Sequence, residues 1–138
     1  IITSAEYENL ALESVMTPED VLEAQKLATR LPVEDELNDQ ITDIAYDLCP
    51  DDPESDIDVQ DGGVNWYPAG ARAQKAFVLA ARALALIDGE YAPTAKHIKE
   101  LSRPILGHRL RLSYGAQAKG KDTGQIIDRV VDRRLGLG

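Results

Sequence analysis

Residues 71–88 narrow what this chain can become more than any other stretch. The run is rich in alanine and leucine, both strong helix formers, and Gly89 follows it as a natural C-cap residue. Its many alanines let a second helix approach closely. Its most apolar part, residues 76–87, is cut by Arg82 and falls short of the roughly 18 apolar residues needed to span a membrane, which argues against membrane insertion.

The flanking sequence carries helix punctuation at similar density. Thr17-Pro18-Glu19-Asp20 is a helix start: Thr17 can cap, Pro18 suits the first turn, and the two carboxylates suit the positive end of the dipole. The helix is expected to run to about Arg30, with Val21, Leu22, Gln25 and Ala28 along its inner edge, and to stop at Pro32. A second begins near Glu34-Asp35, with Leu37, Ile41, Ile44, Ala45 and Leu48 at helical spacing, and ends at Cys49-Pro50. Thr94 caps a fourth helix over residues 95–101, and Pro104 can open a short fifth. Asp122 or Thr123 starts the last, whose stripe is Ile126, Ile127, Val130, Val131 and Leu135. Residues 50–70, dense in Asp, Pro and Gly, read as one long acidic loop. The expected architecture is a single all-α domain, a small bundle of five or six helices.

Charge is split along the chain. Residues 1–61 hold 18 acidic and 2 basic side chains, whereas residues 62–138 hold 6 acidic and 13 basic. The split implies either a dipolar surface with charged interfaces or a solvated acidic loop opposite an ordinary basic face. The overall charge of −9 argues against nucleic-acid binding. One cysteine, Cys49, excludes an internal disulfide and fits a reducing, cytoplasmic setting. With two histidines and that cysteine, the chain has too few ligands for a structural zinc site. The chain opens on Ile1-Ile2-Thr3-Ser4 without Met and without the features of a secretion signal, as expected of a fragment or a processed product.

Most candidate chemistry dissolves on inspection. Gly115-Ala116-Gln117-Ala118-Lys119-Gly120-Lys121-Asp122 mimics a phosphate-binding loop, but Asp122 stands where a magnesium-binding Ser or Thr is needed, and its carboxylate would repel phosphate. The segment reads as a turn before the last helix. Asp56, Asp58 and Asp61 open like a calcium loop, yet Asp61 occupies the glycine position and Tyr67 the glutamate position, so no metal site is expected. Cys49 has no histidine nearby in sequence and reads as a half-buried structural cysteine. His97, beside Lys96 and Lys99, reads as a surface residue, and His108 as a capping or interdomain contact. The abundant carboxylates all lie in exposed-looking stretches, none with the apolar setting that raises a carboxyl pKa.

Arg72 stands apart. An arginine in the first turn of a helix opposes the macrodipole, which favours anions there. Helix amides and a guanidinium together form a clamp for phosphate or carboxylate. The alternative is a salt bridge to the acidic half of the chain.

From here the sequence resembles a known family. Pro68-Ala69-Gly70-Ala71-Arg72-Ala73, leading through the Ala-rich run to Asp88-Gly89, is similar to the sensor 2 helix of MoxR-type AAA+ ATPases, whose pattern is roughly G-A-[SG]-P-R-A. Tyr91-Ala92-Pro93-Thr94 and Pro104-Ile105-Leu106-Gly107-His108-Arg109-Leu110 resemble two further family motifs in the same order, and residues 12–32 resemble its first lid helix. Pro68 and Ala71 depart from the family's usual Gly and Pro. The resemblance implies the C-terminal helical lid that follows an ATPase core, with residues 1–16 as linker from that core. It implies that Arg72 is the sensor 2 arginine, reaching the γ-phosphate of ATP, and that ATP and Mg2+ are cofactors of a parent protein rather than of this chain alone. The implied partners are the ATPase core, neighbouring protomers of a homo-oligomeric ring and a client protein undergoing chaperone-like remodelling. With no Walker A or Walker B run, the chain by itself is not expected to hydrolyse ATP. A reading of another class stays beside this one: a stand-alone acidic helical module for protein interaction.

Overall fold

The structure is a computed structural model that describes residues 13–49, 64–66 and 70–137. Six helices and a two-stranded ribbon occupy them: α1 (Pro18–Ala28), α2 (Asp35–Asp47), β1 (Val64–Trp66), α3 (Gly70–Ile87), α4 (Ala95–Leu106), β2 (Arg111–Leu112), α5 (Tyr114–Ala118) and α6 (Thr123–Leu135). None is long and apolar enough to cross a membrane. Residues 1–12, most of the expected acidic loop and the aspartates of the calcium-like motif lie outside the described residues.

Local chemistry sets the helix ends. At α1, Asp20 N–H donates to Thr17 Oγ1 at 3.1 Å and Thr17 N–H donates to the Asp20 carboxylate at 2.8 Å, a reciprocal capping box. These bonds, the backbone one foremost, hold the Asp20 carboxyl below its ordinary pKa. At the end of α3, Gly89 adopts φ +76°. Glu90 N–H then returns to Ala85 O at 2.8 Å and Gly89 N–H to Leu86 O at 3.2 Å, the paired bonds of a Schellman stop. Asp122 caps α6 through Gln125 N–H at 3.0 Å.

Four helices close a ring: α3 packs on α2 and α4, and α6 packs on the same two from the opposite side. Each turns one apolar stripe inward. Ile41, Ile44 and Leu48 come from the α2 region, Ala73, Phe77 and Ala81 from α3, Ile98 and Leu106 from α4, and Ile127, Val130 and Val131 from α6. The stripes expected for α2 and α6 are the observed ones.

Several expectations need correction. Residues 95–106 form one helix with Pro104 inside it, not two helices split at that proline. Proline removes one backbone hydrogen bond and disfavours a helix interior, but Ile98 and Ser102 before it and Ile105 and Leu106 after it lie on one buried face, so packing carries the helix through. α1 ends at Ala28, and only that residue of its expected inner edge is buried; Val21 and Leu22 remain 44% and 55% exposed. The reason is that α1 lies outside the ring, against α3. The segment read as a loop to residue 70 includes β1, which pairs antiparallel with β2 through Val64↔Leu112 and Trp66↔Arg111 across an irregular register. Strands of two or three residues carry too little periodicity to announce themselves.

The charge split is partly spent inside the bundle. Asp47, at the end of α2, is 2% exposed. Its carboxylate accepts from Arg133 Nη2 at 2.8 Å and from Arg134 Nε and Nη2 at 2.7 and 2.6 Å. Asp43 receives Arg134 Nη1 at 3.2 Å. On the other flank of α6, Lys99 meets Asp132 at 2.7 Å and Arg103 grips Asp128 with two nitrogens. Burial pushes the Asp47 carboxyl up, but the hydrogen bonds and charges of Arg134 and Arg133 outweigh it and leave the pKa lowered. Asp47 therefore overturns the reading of every carboxylate as exposed.

A lowered folded-state pKa adds stability that is complete above the unfolded-state value, about 3.9 for an aspartate, and is lost as pH falls through the folded value. Asp128, lowered chiefly by its bond to Arg103, acts in the same direction. Replacing Asp47→Asn is expected to cost about 1–3 kcal/mol at pH 7, since both arginines keep access to water. It should also flatten the loss of stability below about pH 4. Urea unfolding of both proteins between pH 2 and 7 measures both effects.

Candidate functional site

The residue with the clearest prospect of external chemistry is Arg72, in the first turn of α3. That turn contains no acidic side chain, so nothing within it offsets the positive end of the dipole. Arg72 is exposed, as are Gly70, Ala71 and Lys75 around it. Among the described residues, neither a salt bridge nor a hydrogen bond holds its guanidinium, and the acidic partners Asp43 and Asp47 are engaged with Arg133 and Arg134. Of the two readings open for Arg72, the salt bridge to the acidic half finds no partner among the described residues. The arrangement suits an anion brought from outside: a planar, permanently charged donor set at the N-terminus of a helix.

The ring anchors this arginine from behind. Ala73, Phe77, Ala81 and Ala85 form the buried stripe of α3, whereas Arg72 lies on the face shared with Leu79, Ala83 and Leu86. Farther along that face α1 covers the helix, leaving an apolar groove lined by Val21, Ala24, Ala28, Leu79, Ala83 and Leu86. Arg72 and Lys75 lie on the N-terminal side of that groove.

The other sequence candidates resolve as follows. Residues 115–122, expected to be a turn, instead carry most of α5, followed by a turn with Gly120 at φ +70° and by Asp122 as the α6 cap. Cys49 is a free, half-buried thiol just beyond α2. His108 and Arg109 follow α4, where Arg109 Nε donates to Ile105 O at 3.1 Å and His108 Nδ1 stands 3.3 Å from Pro104 O. Both serve carbonyl groups left open at the helix end.

His97 is a correction. It is fully buried rather than on the surface, at the third position of α4. Thr94 N–H donates to its Nδ1 at 2.9 Å, so His97 takes the part a glutamate plays in a capping box. Its Nε2 faces Asp88 and Glu90 at the end of α3. The signal available in the sequence was spacing: Thr94 and His97 stand three apart at a helix start, and the flanking lysines obscured it.

With this geometry in view, residues 63–130 match the family model of the AAA lid domain. The matched segment takes in β1, α3, α4, β2, α5 and the first part of α6. No curated protein matches the chain. Among solved structures, the chain is similar to a protein of Cytophaga hutchinsonii ATCC 33406 provisionally described as an ATPase, with a TM-score of 0.76 and 23% identity over 94% of this chain and 39% of that one. The likeness is one of fold, and this chain spans well under half the length of that protein.

If Arg72 serves a ligand rather than the bundle, removing it leaves the fold intact. Arg72→Ala is expected to change unfolding free energy by no more than about 0.5 kcal/mol, whereas Phe77→Ala on the opposite, buried face should lose about 3–5 kcal/mol. Equilibrium urea denaturation distinguishes the two.

Proposed function

We propose that this chain is the C-terminal helical lid of a MoxR-like AAA+ ATPase, and that Arg72 is its sensor 2 arginine. The observation that carries the reading is the placement of Arg72: an exposed guanidinium, without a partner among the described residues, in the first turn of a helix within the segment that matches the AAA lid domain.

A guanidinium offers paired donors at fixed geometry, which match the oxygens of a terminal phosphate. Set on a lid and aimed into a nucleotide site, it stabilises the negative charge that gathers on the γ-phosphate during transfer. In this reading magnesium and the water-activating carboxylate are supplied by the ATPase core of the parent protein. The chain's own part is mechanical and electrostatic. α3 is pinned by its buried stripe, so Arg72 moves with the bundle as one body. ATP would draw the lid onto the core through Arg72, and loss of the γ-phosphate would release it. Neighbouring protomers of a ring, in a cytoplasmic setting, would convert that motion into remodelling of a client protein. The alternative is a free-standing acidic module, whose binding residues Asp51, Asp52, Asp56 and Asp58 lie outside the described residues.

The test uses the longer protein carrying both the ATPase core and this chain. Arg72→Ala should lower kcat for ATP hydrolysis by about 100-fold or more, with Arg72→Lys intermediate because the charge survives without the fork. Steady-state phosphate release measures both. An unchanged rate in Arg72→Ala would remove the sensor 2 assignment.

A further inference from the structure

The junction of α3 and α4 gathers three side chains that neither the core nor Arg72 uses. The His97 side chain is completely buried. Its Nδ1 faces the start of α4, 2.9 Å from Thr94 N and 3.0 Å from Thr94 Oγ1. That anchorage turns Nε2 toward the end of α3, where it stands 3.4 Å from Asp88 Oδ2 and 3.8 Å from Glu90 Oε2. Among the described residues Nε2 has no hydrogen-bond partner. A buried imidazole nitrogen aimed at two carboxylates without bonding to either calls for a physical account.

We infer that Asp88, Glu90 and His97 form a binding site for a first-row divalent cation of the zinc class. One imidazole nitrogen and two carboxylate oxygens are a zinc-type donor set, whereas calcium and magnesium take oxygen alone. With metal–ligand bonds of about 2.1 Å, tetrahedral ligand atoms stand about 3.4 Å apart. The His97–Asp88 pair already has that spacing, at 3.4 Å. The His97–Glu90 pair, at 3.8 Å, is a few tenths of an ångström wider, the Glu90 side chain is partly exposed, and all three ligand atoms lie within 4.8 Å of one another. The fourth position is left to water.

The site has a built-in competitor and a proton requirement. Lys96 Nζ lies 3.5 Å from the same Asp88 oxygen and must release it. Metal binding needs the lone pair of Nε2, so the ring proton must sit on Nδ1, donating to Thr94 Oγ1. Without the cation, Thr94 N–H donates to Nδ1 and the proton sits on Nε2 between the carboxylates. Cation binding therefore trades one helix-capping bond for three coordination bonds and switches the tautomer of His97.

The experiment titrates the metal-free chain with zinc chloride by calorimetry and thermal unfolding, and reads the His97 tautomer by nitrogen NMR. One zinc per chain is expected, with Tm raised by about 5 °C or more at saturation. Asp88→Asn and Glu90→Gln, both nearly isosteric changes on partly exposed side chains, should each weaken binding at least about tenfold while the apo protein stays folded. Nδ1 should carry the proton in the zinc-bound protein. An absent Tm shift, equal affinity in the variants, or a proton that stays on Nε2 at saturating zinc would each overturn the site and leave His97 as a helix cap.

Discussion

The bundle is arranged around one narrow helix face. α3 presents Ala73, Phe77, Ala81 and Ala85 inward, so a single large side chain is set among small ones. Small residues allow α2 and α4 to approach α3 closely, and the apolar stripe of α6 closes the ring from the far side. Because burial of apolar surface is the main favourable term in folding, this face determines where its neighbours sit. It also determines where α3 points at both ends: Arg72 at one, the Asp88–Gly89–Glu90 turn at the other.

Electrostatics then fixes what packing leaves open. A ring of helices closed only by apolar stripes tolerates sliding. Asp47 ties the end of α2 to Arg133 and Arg134 near the end of α6, and Lys99 and Arg103 tie α4 to the other flank of that helix. The buried pair is best viewed as a register device, since desolvation of Asp47 takes back much of what the arginines give. The acidic first half and basic second half of the sequence are thus partly neutralised across the α2–α6 contact. Arg72 lies outside that neutralisation, which leaves its guanidinium without a partner among the described residues.

Much of the fold was legible because its signals are local. The Thr17 capping box, the Gly89 stop, the Asp122 cap and the stripes of α2 and α6 each depend on residues within one or two turns of each other. The position of Arg72 was legible for the same reason, as a charge on the wrong end of a helix. His97 was missed because its lysine neighbours in sequence point to solvent while the imidazole turns inward, a difference of one helix face. Pro104 misled because propensity alone ends a helix there, and only the buried residues on both sides of it show why the helix continues. Asp47 gave no sign of burial, because its partners stand more than 80 residues away.

The sequence by itself determined most of the helices, many of their ends, and the apolar stripes of α2 and α6. These follow from propensity, capping and 3.6-residue periodicity, all of which act over a few residues. Only the tertiary structure decided which polar groups are paired and which are left for other chemistry. That assignment depends on distances between residues far apart in the chain. It separates Asp47, consumed by arginines, from Arg72, left open to an outside anion, and it brings a buried imidazole against Asp88 and Glu90.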